Sequence, residues 1–183
     1  MKNLYSIIAI LSSGILFAQS PWTQEKGTFY TQLSFTTIAN YDEVFGDPEY
    51  QTDREITDNT LQLYGEYGIS SKTTLLVNLP IKMIQTGDAV NGNAFITEDS
   101  KTTFGNISVG LKHNFYNKKW LISGQLNVEA NTGTFEAASG IRTGQDAWTL
   151  TPTLNVGRSF DSFYVQAFTG IDLKTNDYSN NFK

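Results

Sequence analysis

Apolar and polar residues alternate along much of this chain, and the alternation is cleanest in residues 120–130. Trp120 and Ile122 share one parity there, whereas Ser123 and Gln125 fall on the other. Successive side chains of a β-strand point to opposite faces of a sheet, so the pattern predicts a strand with one apolar and one largely polar face.

Seven segments carry this pattern, and none holds the apolar period of about 3.6 residues that a helix requires. They are residues 28–38, 60–69, 73–85, 106–115, 120–130, 148–157 and 163–174. Their lengths are near the roughly 9 to 11 residues that a tilted strand needs to cross a bilayer, whereas strands of a soluble β-sandwich are usually nearer 5 or 6 residues. The segments therefore favour membrane-crossing strands over a soluble sandwich.

The connections between these segments alternate between short and long. Short connections fall at residues 68–72, 116–119 and 159–162, and long ones at residues 39–54, 86–102 and 131–147. Outer-membrane barrels combine tight periplasmic turns with longer outer loops. The all-β pattern therefore predicts an antiparallel transmembrane β-barrel. Pro80 and Pro152 fall inside predicted strands, and each is expected to mark a bulge or bend because proline has no N–H to donate to a ladder.

The amino terminus has the composition of a targeting segment. A basic start containing Lys2 precedes the largely apolar residues 4–17, and Ala18 supplies a small residue at the predicted cleavage site. The apolar run is short for a membrane-spanning helix, which needs about 20 residues. We predict a signal peptide over residues 1–18 and an exported barrel over residues 19–183, located in the cell outer membrane of a Gram-negative bacterium.

Composition narrows the function classes further. The chain has no cysteine, which excludes disulfides, thiolate metal sites and a cysteine nucleophile. Its formal net charge of −5 argues against nucleic acid as a partner, because nucleic-acid binding needs a basic surface. No phosphate-binding glycine loop and no His/Asp/Glu metal cluster is present in the sequence, so we expect no cofactor and no metal.

Aromatic residues make up 13% of the chain and gather near the predicted turns and loops. The predicted interface aromatics are Tyr67, Phe115, Tyr116, Trp120, Trp148, Phe160, Phe163 and Tyr164. Aromatic rings line both membrane interfaces of outer-membrane barrels, so we interpret these residues as girdles in contact with outer-membrane lipid. The alternative is that they are ordinary aromatic residues at strand ends.

The polar parity of the predicted strands would face the barrel lumen. The predicted lumen-lining residues are Gln32, Gln62, Glu66, Lys82, Lys112, Gln125, Asn127, Glu129, Gln166, Asp172 and Lys174. Both signs of charge occur, so these side chains could pair and fill a small barrel or line a path through a larger one. The first alternative is structural packing; the second is the hypothesis that Glu66, Lys82, Lys112 and Glu129 tune selectivity.

Two further features are candidate sites. The connection after the first strand is acidic, with Asp42, Glu43, Asp47, Glu49, Asp53 and Glu55. Such oxygen ligands could hold calcium, but their spacing matches no EF-hand, and a solvated outer loop is favoured. His113 is the only histidine, and its apolar parity near a short turn is a poor position for a general base, so we predict no catalytic residue and no enzyme.

The strand count is odd, whereas closed single-chain barrels usually have an even number of strands. The residues after Lys174 are polar and do not alternate. We therefore expect the chain to be a carboxy-terminally incomplete part of a larger barrel.

Two runs of sequence resemble a known family. Residues 66–80 read EYGISSKTTLLVNLP and residues 104–112 read FGNISVGLK. Together they resemble the outer-membrane transporters named after the MetA pathway of phenol degradation, over residues 27–174. The resemblance implies an outer-membrane barrel that passes small or hydrophobic compounds.

The leading functional hypothesis is a passive channel or transporter for small compounds, hydrophobic ones included. The alternatives are a structural or surface-interaction barrel, with a filled lumen and partner-binding outer loops, and an outer-membrane hydrolase dependent on His113.

Overall fold

The computed structural model describes residues 20–44, 50–89, 99–136 and 141–175. The predicted signal peptide and its cleavage site lie outside this part of the chain. No helix in the described ranges is long and apolar enough to cross a membrane. All regular structure in these ranges is extended.

The strands are β1 (Phe29–Val44), β2 (Tyr50–Ser70), β3 (Thr73–Ala89), β4 (Asp99–Phe104), β5 (Ser108–Asn117), β6 (Leu121–Glu129), β7 (Phe135–Glu136), β8 (Ile141–Arg142), β9 (Thr149–Ser159), β10 (Tyr164–Gly170) and β11 (Leu173–Lys174). The main sheet runs in the order β1-β2-β3-β5-β6-β9-β10, and every pairing is antiparallel. β4 also pairs with β3, and β11 with β9, whereas β7 and β8 form a separate pair.

The sheet curls into a half-barrel, which confirms the predicted all-β, antiparallel barrel architecture. Its seven rows correspond to the seven alternating segments, because β4 continues the line of β5 along β3 and β11 continues that of β10 along β9. Within the described ranges, neighbouring rows follow one another in the chain and pair antiparallel.

Pro80 and Pro152, the two prolines predicted inside strands, each lie opposite a break in a neighbouring strand. The gap between β4 and β5 falls beside Pro80, whose carbonyl accepts a hydrogen bond from the Gly105 N–H at 2.9 Å. The gap between β10 and β11 falls beside Pro152, whose carbonyl accepts from the Ile171 N–H at 3.3 Å. Proline can accept but not donate in a ladder, so an irregularity here is the expected physical consequence.

The first two long connections are shorter than predicted. β1 continues to Val44 and β2 begins at Tyr50, so much of the predicted acidic loop is a strand extension. Asp42, Glu43, Asp53 and Glu55 lie within these strands, whereas Asp47 and Glu49 lie outside the described residues. Apolar alternation is lost in the extension while backbone pairing continues, which is why the sequence pattern ended the strands too early.

The two faces of the sheet reverse the arrangement of a soluble protein, with apolar side chains exposed on one face and polar side chains buried on the other. On the face that we call convex, the apolar side chains Leu111 and Phe115 are 50% and 67% exposed. On the concave face, Lys112 and Asn155 are fully buried. Buried polar and exposed apolar faces are the arrangement expected of a membrane barrel, where lipid covers the outside.

Candidate functional site

The concave face brings together the residues predicted to line a lumen. Cross-strand partners share a face, and the register places every one of them on the side of Lys112 and Asn155. Glu66, Lys112 and Gln125 are buried there, whereas Gln32 and Gln166 on the outermost rows are exposed. That these side chains line a conducting lumen stays a prediction.

A buried ion pair lies at the end of the concave face near the short turns. The Lys112 ammonium is 3.2 Å from the Glu66 carboxylate, and both side chains are almost completely buried. The same carboxylate accepts hydrogen bonds from the Tyr64 hydroxyl at 2.6 Å and the Gln24 side-chain amide at 2.9 Å. Three donors therefore surround the Glu66 carboxylate.

The segment of residues 20–24 crosses this end of the concave face. The Lys112 ammonium donates to the Ser20 carbonyl at 3.2 Å, and the Gln24 N–H donates to the Thr74 hydroxyl at 2.8 Å. The Trp22 ring meets the Tyr164 ring edge-to-face at 5.5 Å. The segment thus contacts rows at both sides of the half-barrel, a role that sequence reasoning missed because these residues carry no alternation.

Two glycines allow this segment to approach the sheet. A Cβ at Gly68 would collide with the Glu25 carbonyl, and one at Gly157 would lie 2.5 Å from the Pro21 side chain. Any larger residue at either position would therefore have to displace the segment or the strand.

We expect Gly68→Ala to loosen the segment of residues 20–24. The added methyl group collides with backbone, which cannot rotate away, so the Gln24 amide should exchange with solvent at least about tenfold faster. Hydrogen exchange of the folded protein measures this. Gly65→Ala is the matched control, because nothing lies within 4 Å of a Cβ at Gly65. Equal exchange in both variants would contradict the prediction.

A second polar cluster occupies the opposite end of the concave face. The Lys82 ammonium donates to both carboxylate oxygens of Asp58, at 2.7 and 3.0 Å. A cavity of about 570 Å³ adjoins this pair. Its lining includes Asn78, Lys82, Asn106, Asn127, Glu129, Arg142, Gln145, Asp172 and Lys174. Sequence reasoning missed Asn106, Arg142 and Gln145 as members of the site.

On the rows beside the buried ion pair, several buried polar atoms have no protein partner within the described ranges. The Ser123 hydroxyl, the Gln125 side-chain carbonyl and both amide atoms of Asn155 have no hydrogen-bond partner among the described residues. An unsatisfied buried polar group costs about 1–3 kcal/mol, so these positions favour a polar partner.

The predicted interface aromatics are all substantially exposed. Phe160 and Phe163 stack at 4.6 Å, and the Arg158 guanidinium lies 4.6 Å above the Phe160 ring. Tyr164 differs from the others because it shares the parity of Gln166 and contacts Trp22. That these rings form girdles in contact with lipid stays a prediction.

His113 lies on the convex face. Its Nδ1 is 2.9 Å from the Thr73 hydroxyl, and its ring is 5.2 Å from that of Phe115. Neither contact supplies the carboxylate that orients a catalytic histidine. Within the described ranges, no group of three or more His, Cys, Asp or Glu residues is placed to hold a metal ion.

Comparison with known proteins identifies the family. The model of the family described as "Putative MetA-pathway of phenol degradation" matches residues 35–182. The chain belongs to this family. The match confirms the resemblance carried by residues 66–80 and 104–112.

The fold of this family member is similar to that of a solved outer membrane channel from Pseudomonas putida F1, with a TM-score of 0.59 and 12% sequence identity. The similarity covers 84% of this chain and 58% of the channel, so the chain spans less than two thirds of that protein. No curated protein matches the sequence.

Proposed function

We propose that this family member is an outer-membrane β-barrel through which small compounds, hydrophobic ones included, cross passively. The observation that carries the proposal is the reversal of the two faces, with apolar side chains exposed on the convex face and polar side chains buried on the concave face. Such a sheet needs lipid on one side and water or solute on the other. The likeness to a solved outer membrane channel supports the location and the class of function.

Two observations narrow the class of solute: the description of the family and the lining of the cavity. The family's description refers to phenol degradation, which favours small aromatic compounds. The cavity at the second polar cluster is lined by amides, hydroxyls and charges, which favours solutes with at least one polar group. A compound with a small ring and a hydroxyl group meets both conditions.

Liposome swelling with the full-length protein tests the channel function. We expect small polar solutes to enter protein-containing liposomes faster than empty ones. No flux above that of empty liposomes would favour the alternative, a structural barrel with a filled lumen. Residues 20–24, which occupy part of the concave face, are the observation that supports this alternative.

Ion preference tests whether the charges of the concave face line the path. Lys82→Gln leaves the Asp58 carboxylate unpaired and should shift preference toward cations, whereas Glu129→Gln should shift it toward anions. The measurement is the reversal potential in a salt gradient across a planar bilayer. Glu55→Gln is the control, because that residue is exposed outside the concave face. Unchanged reversal potentials for both test variants would count against the proposed lining.

A further inference from the structure

Asn106 fastens the connection between β6 and β9 to the barrel wall. Its side-chain amide donates to the Glu129 carboxylate at 3.0 Å and to the Gln145 carbonyl at 2.9 Å. Its side-chain carbonyl accepts from the Gly133 N–H at 2.9 Å. Asn106 is 8% exposed and lies in the break between β4 and β5, opposite Pro80, outside the regular ladder. One amide therefore joins the wall to both sides of this connection.

The two sides of the connection pack tightly on each other; we call residues 131–136 and 141–147 the inner hairpin. The Thr143 N–H donates to the Thr134 carbonyl at 2.9 Å, and the Thr134 N–H donates to the Thr143 hydroxyl at 2.8 Å. A Cβ at Gly144 would lie 2.9 Å from the Gly133 Cα and would collide with the Asn106 amide. The packing thus requires glycine at both positions.

The inner hairpin lies against the concave face rather than extending away from the sheet. A Cβ at Gly105 would be 3.0 Å from the Thr143 carbonyl and 3.4 Å from the Lys82 side chain, which belongs to the concave face. From the other side, the Lys174 ammonium donates to the Gln145 side-chain carbonyl at 2.6 Å. Thr143 is 1% exposed. The hairpin is therefore anchored to rows that flank it on both sides.

We propose that the inner hairpin is the constriction of the channel and that Asn106 is its positioning residue. This inference rests on the proposed function. The cavity of about 570 Å³ lies between the hairpin, which contributes Arg142 and Gln145, and the wall, which contributes Asn127 and Glu129. We place the path of the solute in this cavity, between the hairpin and the wall. Because the lining supplies both donors and acceptors, the constriction selects small polar solutes that replace their hydration there.

Two substitutions release the hairpin by different means. Asn106→Leu removes three hydrogen bonds with little change in volume, and Gly144→Val adds atoms where the backbone leaves no room. We expect each to raise single-channel conductance at least about twofold and to admit larger solutes in liposome swelling, because a pore conducts according to its narrowest part. Gly65→Val is the matched control, with nothing within 4 Å of its Cβ.

An engineered disulfide between the hairpin and the wall supplies a second test, the conductance under oxidising and reducing conditions. A Cβ at Gly144 would be 2.8 Å from the Asn106 Cγ, so the two Cβ atoms are within about 4.3 Å, the range of a disulfide. The chain has no natural cysteine to compete. We expect the Asn106→Cys/Gly144→Cys protein to conduct less when oxidised than when reduced, because the disulfide would hold the hairpin to the wall.

The outcomes separate the inference from the proposed function. Wild-type conductance and size limit in folded Asn106→Leu and Gly144→Val proteins, together with no redox effect in the double-cysteine protein, would overturn the constriction while leaving the channel intact. A closed wild type that opens in these variants supports both the channel and the constriction. No conductance in any folded variant would overturn the channel function and the inference with it.

Discussion

Leu126→Arg is expected to destabilise the folded barrel by about 2–4 kcal/mol, because a charge on the lipid face near the middle of a strand loses its hydration. Leu126 lies within β6, is 47% exposed on the convex face and pairs with Leu111 of β5, which is 50% exposed. Urea unfolding of the protein folded in lipid vesicles measures the loss. The same variant should assemble poorly in the outer membrane.

The adjacent residue provides the control for this prediction. Asn127 lies on the concave face and lines the polar cavity, so Asn127→Arg introduces the same charge on the opposite side of the same strand. We expect a much smaller change in the free energy of unfolding, since water or polar groups can solvate the guanidinium there. Equal losses for the two variants would contradict the assignment of the two faces.

Glu66→Gln is expected to cost about 3–5 kcal/mol in the free energy of unfolding, because it leaves the fully buried Lys112 ammonium without its carboxylate. Its remaining acceptors among the described contacts are uncharged: the Ser20 carbonyl, at 3.2 Å, and the side-chain carbonyl that the substitution leaves at position 66. The segment of residues 20–24 should loosen at the same time, since Gln24 also donates to Glu66. Urea unfolding and hydrogen exchange measure the two effects.

The double variant distinguishes a buried charge pair from simple packing. Lys112→Met combined with Glu66→Gln removes both charges, so it should be more stable than Glu66→Gln alone. The contrary result is a double variant whose loss of stability relative to the wild type equals the sum of the losses in Glu66→Gln and Lys112→Met. The two side chains would then contribute independently, and the ion pair would not be the cause.

Much of the fold could be predicted from the sequence, because the two environments of a membrane strand produce a local pattern. Side chains two residues apart meet the same medium, so the adjacent Leu111 and Lys112 indicate opposite faces by their chemistry alone. The assignment of Glu66, Lys112, Gln125 and the other polar residues to one face follows from that period. The irregularities beside Pro80 and Pro152 were predictable for an equally local reason, the missing N–H.

The strand ends were less predictable. β1 and β2 continue as a paired hairpin through residues that do not alternate, because backbone hydrogen bonds hold a strand whether or not its faces differ. Apolar periodicity reports only where one face is covered by an apolar medium. It does not reveal a strand whose two faces are both polar.

The sequence by itself therefore determined that this is an antiparallel barrel sheet with one polar and one apolar face. Only the tertiary structure decided what lies against the polar face. Asn106 meets Gly133 and Gln145, and Lys112 meets Ser20, across long separations in the chain. No local period encodes such contacts, since they depend on how the sheet curls and on where glycines let backbones approach. Residues 131–136 and 141–147, which the sequence assigned to an outer loop, lie against the concave face in the structure.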